Sequence, residues 1–201
     1  MMRTVTVAGA SIVQMPAPGS FEPLRTNRMV IDTPITVDKP SGGGYLPTIR
    51  GDALEIVATF SVASHAASTA TATAAATAAA ATSFGVLLRA GGSSNGCQIG
   101  YSPATKTITA TGGHDGGAAA IDAGIVAQPT ASTVELHIFL DRQIIETYSG
   151  GAALTSRCSL ADWKDGAAAQ GIDLWAVGGT VKLLKLEAWA MSSMWGAVPK
   201  H

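Results

Sequence analysis

The sequence predicts an all-β protein, an antiparallel β-sandwich of two sheets. Three observations carry this. First, residues 134–151 read VELHIFLDRQIIETYSGG. Val134, Leu136, Ile138 and Leu140 alternate there with Glu135, His137 and Phe139, and a period of two marks a strand with one buried face. Asp141, Arg142 and Gln143 interrupt the pattern. Ile144, Ile145, Thr147 and Tyr148 resume it, and Gly150-Gly151 stop it, so the stretch is a β-hairpin. Second, similar stretches recur at short, regular spacing, separated by turn-forming residues. Glycine supplies 23 of the 201 residues, as many tight turns require. Third, helical periodicity is almost missing from the chain. Strands at this density pack as two sheets laid face to face.

Taken in order, Thr4–Val7 alternates, Gly9 turns, Ile12-Val13 resumes, and Pro16 and Pro18 end the pair. Met29 to Thr36 reads as a strand broken near Pro34, and Pro40 to Pro47 as a loop. Ala53 to Val62 sets Leu54, Ile56, Ala58 and Phe60 against Glu55, Val57 and Thr59, a strand with a core face. The alanine- and threonine-rich stretch from 65 to 82 has no apolar face to dock. It is expected to be an expanded loop insertion, which costs little because closure entropy grows slowly with length. Ser83–Arg89 and Gly96–Tyr101 are strands, and Thr105–Thr111 is another. Gly112 to Gly124 reads as a loop. After the hairpin come strands at Leu154–Cys158, Ile172–Val177 and Val181–Met191.

The composition is that of a globular chain, 47% hydrophobic and 13% charged. Its net charge of −1 gives no basic excess to draw nucleic acid or an anionic membrane surface. No apolar run approaches the length of a bilayer-spanning helix. The first sixteen residues resemble a signal peptide only superficially, because Thr, Gly and Ser dilute the apolar stretch after Arg3. They read as a strand. Cys97 and Cys158 stand outside any CxxC pair, so zinc and dithiol chemistry are weakly indicated. Two small buried residues is the favoured reading, and a disulfide between them is the alternative in a secreted chain.

Asp141 and Glu146 are the carboxylates that invite an acid/base reading. The plainer one makes Asp141 a turn former bonding nearby backbone N–H groups. It makes Glu146 one half of an ion pair with an arginine, Arg157 first and Arg142 second. His65, His114, His137 and His201 lie in four separate settings, so no metal site or cofactor is expected. His137 falls on the face opposite the apolar stripe. Of the four tryptophans, Trp163 sits in a polar loop and is the candidate sugar contact. Trp175, Trp189 and Trp195 are expected in the core or at a domain interface.

FLDRQIIETY (Phe139–Tyr148), followed by LTSR (Leu154–Arg157), resembles the C-terminal β-sandwich of glycoside hydrolase family 32, the invertases, levanases and inulinases. Gln143 stands where that family usually has Ser, and Thr147 where it has an aliphatic residue. GIDLWAVGGTVKLLKLEAWAMSSMW (Gly171–Trp195) is similar to the family's closing strands. SFGVLLRAGG (Ser83–Gly92) with Ile99–Tyr101 is similar to its first sheet. Val13–Pro16 and Leu24-Arg25 resemble the hairpin and linker that close the family's catalytic propeller, whereas the Asp-Arg and Ser-Gly of one family loop are replaced by the stretch 112–117, GGHDGG.

The resemblance implies a concanavalin- or lectin-like sandwich over residues 29–201, with residues 1–28 a propeller-closing strand and linker. It implies Asp141, Arg142, Glu146 and Arg157 as a structural motif. It also implies a catalytic propeller as partner, with a fructosyl carbohydrate and a second copy of the chain as further candidates. An extracellular or vacuolar location follows from the family. The family's catalytic motifs, Trp-x-Asn-Asp-Pro-Asn, Arg-Asp-Pro and Glu-Cys, do not occur in this sequence, so no catalytic residue carries over. Three functions compete. The chain is the accessory sandwich of a β-fructosidase, a free-standing lectin-like carbohydrate-binding module, or an enzyme in its own right. The first is favoured, because a free module has no use for a propeller-closing strand.

Overall fold

The computed structural model describes residues 3–8, 11–62, 80–90, 96–111, 122–125, 132–158 and 170–192. The strands are β1 (Arg3–Ala8), β2 (Ser11–Pro16), β3 (Arg25–Ile31), β4 (Ile35–Val37), β5 (Ala53–Ser61), β6 (Ser83–Ala90), β7 (Cys97–Ser102), β8 (Thr107–Thr111), β9 (Asp122–Ile125), β10 (Thr133–Asp141), β11 (Ile144–Ser149), β12 (Ala152–Arg157), β13 (Gly171–Val177) and β14 (Val181–Met191). One sheet runs β12-β11-β10-β5-β14-β3, with β4 also paired to β14. The other runs β13-β6-β7-β8-β9, and β1 and β2 form a separate hairpin. Every pairing within these sheets is antiparallel.

Alternation decides which side chains meet. Leu54, Ile56, Ala58 and Phe60 of β5 stand beside Leu140, Ile138, Leu136 and Val134 of β10 in register. All eight are buried on the inner face. Phe84, Val86 and Leu88 of β6, with Ile99 and Tyr101 of β7 and Leu174 of β13, face them from the second sheet and close one core. Phe60 and Phe84 touch across the gap, their ring centroids 5.1 Å apart.

Several strand limits differ from the sequence reading. The break expected near Pro34 is present and leaves two strands, because a residue without an N–H cannot continue the ladder. The first of them starts at Arg25, inside the expected linker. The expected loop from 112 to 124 contains the start of β9, whose Gly124 pairs with Ile108. A Gly- and Ala-rich sequence gives no propensity signal for that strand, and pairing with β8 supplies it. Most of the 65–82 insertion lies outside the described residues.

The two sheets are tied at one end. Arg89 lies buried at a bulge in β6 with φ +61°. It pairs with Asp52 ahead of β5 and donates to the carbonyl of Arg142 in the β10–β11 turn. At the same end the structure joins Cys97 of β7 to Cys158 after β12, with Cα atoms 5.8 Å apart. The favoured reading of two independent buried thiols is therefore corrected. Sequence spacing carries no information on whether two cysteines meet across a sandwich.

Candidate functional site

A cluster of charged side chains lies on the outer face of the larger sheet, and strand register places it. One row across the sheet is Thr155, Glu146, Phe139, Glu55 and Trp189. The next is Ala153, Tyr148, His137, Val57, Glu187 and Val30. Each row alternates with a row of core residues, because successive side chains point to opposite faces.

Glu55 is at the centre and is 0% exposed, although it lies on the face away from the core. Arg25 grips it with both arms of its guanidinium, Nε to Oε2 at 2.7 Å and Nη2 to Oε1 at 2.6 Å. His137 Nε2 lies 2.7 Å from Oε1. The Arg25 guanidinium also lies over the Trp189 ring, 4.3 Å from its centroid. A buried carboxylate is costly unless paired and hydrogen-bonded, and here both oxygens are used. Burial pushes the Glu55 carboxyl up, but the hydrogen bonds from Arg25 and His137 outweigh that and hold it below the ordinary glutamate value. The same contact raises Arg25. At the rim Arg28 pairs with Glu187, whose other oxygen lies 3.3 Å from Lys185, and the Arg28 hydrogen bond lowers Glu187.

Beside this lies a small apolar cluster. Phe21, just before β3, packs on Phe139 with ring centroids 4.6 Å apart, and Tyr148 meets Phe139 edge-on at 6.2 Å. The Tyr148 hydroxyl donates to Glu146 Oε2 at 2.7 Å. Burial, then that hydrogen bond, raises the phenol well above its usual range. Arg3 reaches the same glutamate from β1, Nη2 to Oε1 at 3.5 Å, and Thr155 Oγ1 at 3.4 Å. The Gln14 N–H of β2 donates to the Gly151 carbonyl at 2.8 Å. Arg3, Phe21 and Arg25 therefore bear on this face, and β2 is hydrogen-bonded at its β11–β12 edge.

The four motif residues separate. Glu146 is buried in the cluster as an ion-paired carboxylate. Among the described residues its arginine is Arg3, which corrects the expectation of Arg157 or Arg142. Arg157 is opposite Ile144 in the ladder and exposed. Arg142 occupies the tip of the hairpin, with φ +55° and its N–H on the Asp52 carbonyl. Asp141 is exposed and its side chain makes no hydrogen bond among the described residues, so the turn is held by Arg142 and Asp52 rather than by Asp141. Trp163 lies outside the described residues, as do His65, His114, His201 and Trp195. His137 is half-buried against Glu55. Trp175 is buried on the smaller sheet, its Nε1–H 3.3 Å from the Val86 carbonyl. Sequence reasoning passed over Glu55 and gave Arg25 no partner. The signal for Glu55 was present, a lone carboxylate in the middle of a strand otherwise free of charge.

The described carboxylates of this face are not disposed as a hydrolytic pair. A glycosidase needs one carboxyl kept protonated as general acid and a second across the scissile bond. Glu55 is held ionised, Glu146 is committed to Tyr148 and Arg3, and Asp141 stands in solvent. Among the described residues no group of three or more His, Cys, Asp or Glu could hold a metal ion. A groove of about 220 Å³ lies at the other end of the sandwich, between Thr36, Ser61, Phe84, Pro103 and Lys182. It touches none of this network.

Fold and site define an antiparallel β-sandwich with a cluster of paired charges on the outer face of its larger sheet. Within that class the chain belongs to glycosyl hydrolase family 32, as its C-terminal domain: the model described as "Glycosyl hydrolases family 32 C terminal" matches residues 21–190. Solved structures agree in fold. Exo-inulinase from Aspergillus awamori is 21% identical with a TM-score of 0.64, the match covering 96% of this chain and 35% of that one. For fructan 1-exohydrolase IIa from Cichorium intybus the values are 17%, 0.67, 95% and 40%. For sucrose-6-phosphate hydrolase from Lactobacillus gasseri they are 14%, 0.57, 95% and 33%. The chain thus spans between a third and two fifths of the structures it resembles. No curated protein sequence matches it.

Proposed function

We propose that this chain is the accessory sandwich of a family 32 β-fructosidase, bracing a catalytic propeller and edging its substrate cleft, without catalysis of its own. The supporting observation is the outer face. An ion-paired, fully buried carboxylate is placed where a free-standing sandwich would carry solvated side chains. The residues that bear on this face, Arg3, Phe21 and Arg25, belong to a stretch whose sequence resembles a propeller-closing hairpin and linker. On this reading the residues before β3 belong with the propeller, and the sandwich proper starts at Arg25, four residues earlier than the boundary expected from the sequence, because β3 pairs with β14 from there. The free edge of β1 is then a site for a further strand, and Val5, 60% exposed, gains a neighbour. A fructosyl chain would lie near that junction. A second copy of the chain is the competing occupant of the β1 edge.

The test is to mix the purified chain with a separately produced family 32 propeller. We expect a one-to-one complex by calorimetry and sedimentation, with hydrolysis of sucrose or inulin rising only in the mixture. Fructan or other glycan binding by the chain alone, with no affinity for a propeller, would favour the free carbohydrate-binding module instead.

A further inference from the structure

In the Glu55 cluster the charges are paired with one another. The groove at the other end of the sandwich is lined differently. Strand register sets Thr36 of β4 and Ser61 of β5 on either side of Lys182 of β14, one row across three strands. Neighbouring strands lie about 4.8 Å apart, so both hydroxyls and the ammonium are within reach of one small ligand. Thr180, just before β14, adds a further hydroxyl, and Phe84 of the core forms an apolar wall with Pro103. Among the described residues, the side chains of Thr36, Ser61, Thr180 and Lys182 have no hydrogen-bond or ion-pair partner. No described residue lining the groove is acidic. Lys185, further along the same strand, is by contrast paired with Glu187.

We propose that this groove is a binding site for a monosaccharide phosphate. An ammonium with no acid beside it, flanked by hydroxyl donors, selects an oxyanion, and lysine binds phosphate as a point charge. The volume of about 220 Å³ exceeds what a bare phosphate fills and is below the ~300–1,000 Å³ of drug-sized sites. One sugar ring with its phosphate is the matching size. The phosphate lies at Lys182 between Thr36 and Ser61. The ring places hydroxyls toward Thr180 and its apolar C–H groups against Phe84 and Pro103. A neutral sugar would leave the ammonium unanswered, and a bare phosphate would leave the apolar wall wet. The donors of the groove are uncommitted before the ligand arrives, so binding breaks no internal pair. In the Glu55 cluster a ligand would have to displace Arg25 or His137. This inference goes beyond the accessory-domain reading and does not rest on it, because the groove is built from this chain alone.

Titration of the isotope-labelled full chain with fructose 6-phosphate, followed by amide NMR shifts, tests it, with fructose and inorganic phosphate as controls. Saturable shifts should gather at Thr36, Ser61, Thr180 and Lys182. Fructose 6-phosphate should bind at least tenfold more tightly than either control. Lys182→Met keeps the stem and removes the charge. It should weaken fructose 6-phosphate binding at least tenfold, whereas Lys185→Met should leave it unchanged. Both lysines are exposed, so neither substitution disturbs the core. Absence of saturable shifts at about 10 mM, well above the ~1 mM dissociation constant of a weak site, would overturn the proposal. Equal affinity for inorganic phosphate would do the same, reducing the groove to a bare anion patch. So would equal losses in the two lysine variants, which would mean attraction by net charge alone. Binding to a propeller is measured separately, so failure of the accessory reading leaves these outcomes intact.

Discussion

Glu55 shows how a single side chain takes its character from its surroundings. Its carboxyl is held below the ordinary value of 4.5, so the folded state binds its proton less readily than the unfolded chain does. A depressed carboxyl contributes stability that is present above the unfolded value and is lost as pH falls through the folded one. The native protein should therefore lose stability on acidification below about 4.5, and Glu55→Gln should lack that part of the acid slope. Urea unfolding at a series of pH values measures both; parallel slopes would show that Glu55 is not the group responsible. Arg89 is the second case, a buried cation bonded to Asp52 and to the Arg142 carbonyl. Charged hydrogen bonds of this kind are worth about 1.5–3 kcal/mol each, and Asp52 is partly solvated. Replacing Arg89 by Ala should cost about 2 kcal/mol in equilibrium unfolding.

Among the elements, β7 and the end of β12 are coupled by the Cys97–Cys158 bond. The cross-link closes a separation of 61 residues, and in the chain-entropy model a loop of that length contributes roughly 4 kcal/mol by restricting the unfolded chain. The double variant Cys97→Ala/Cys158→Ala should unfold at correspondingly lower denaturant. A reductant should lower the midpoint of the native protein and leave that of the variant unmoved. Strands β6, β7 and β13 are fitted by a glycine. Gly100 of β7 lies beneath the Trp175 indole, and a methyl group there would collide with the ring and with the Phe84 carbonyl. The nearby backbone cannot yield as a flexible side chain can. Gly100→Ala should therefore cost about 1–3 kcal/mol, the usual penalty of overpacking, with the loss visible in the near-ultraviolet signal of the tryptophan.

For the molecule as a whole, the two faces of the larger sheet divide the labour between a shared apolar core and an outer face of ion pairs and aromatic rings. With Glu55 ionised and Glu146 committed, the isolated chain should release no reducing sugar from sucrose, levan or inulin. Release abolished by replacing one of its own carboxylates would contradict this. No described helix is long and apolar enough to cross a membrane, and the chemistry of the outer face is that of ion pairs and aromatic rings.

The sandwich was legible because alternation is a local property. Residues 53–62, 134–148 and 181–191 each announce a strand and its buried face without reference to any other segment, and the family motif lies in the same hairpin. Strand β9 was not legible, since its residues have little intrinsic preference and are strands only beside β8. The partner of Glu146 was misread for a related reason. Arg157 is near in sequence, but the ladder puts it opposite Ile144, and Arg3 arrives from the other end of the chain. The disulfide, the Arg89 tie and the grip of Arg25 on Glu55 are likewise contacts between distant segments. The sequence by itself determined which residues alternate, and hence the strands, the core face and the family. Only the tertiary structure decided which charge meets which, because a pairing between remote residues depends on register and on the packing of one segment over another.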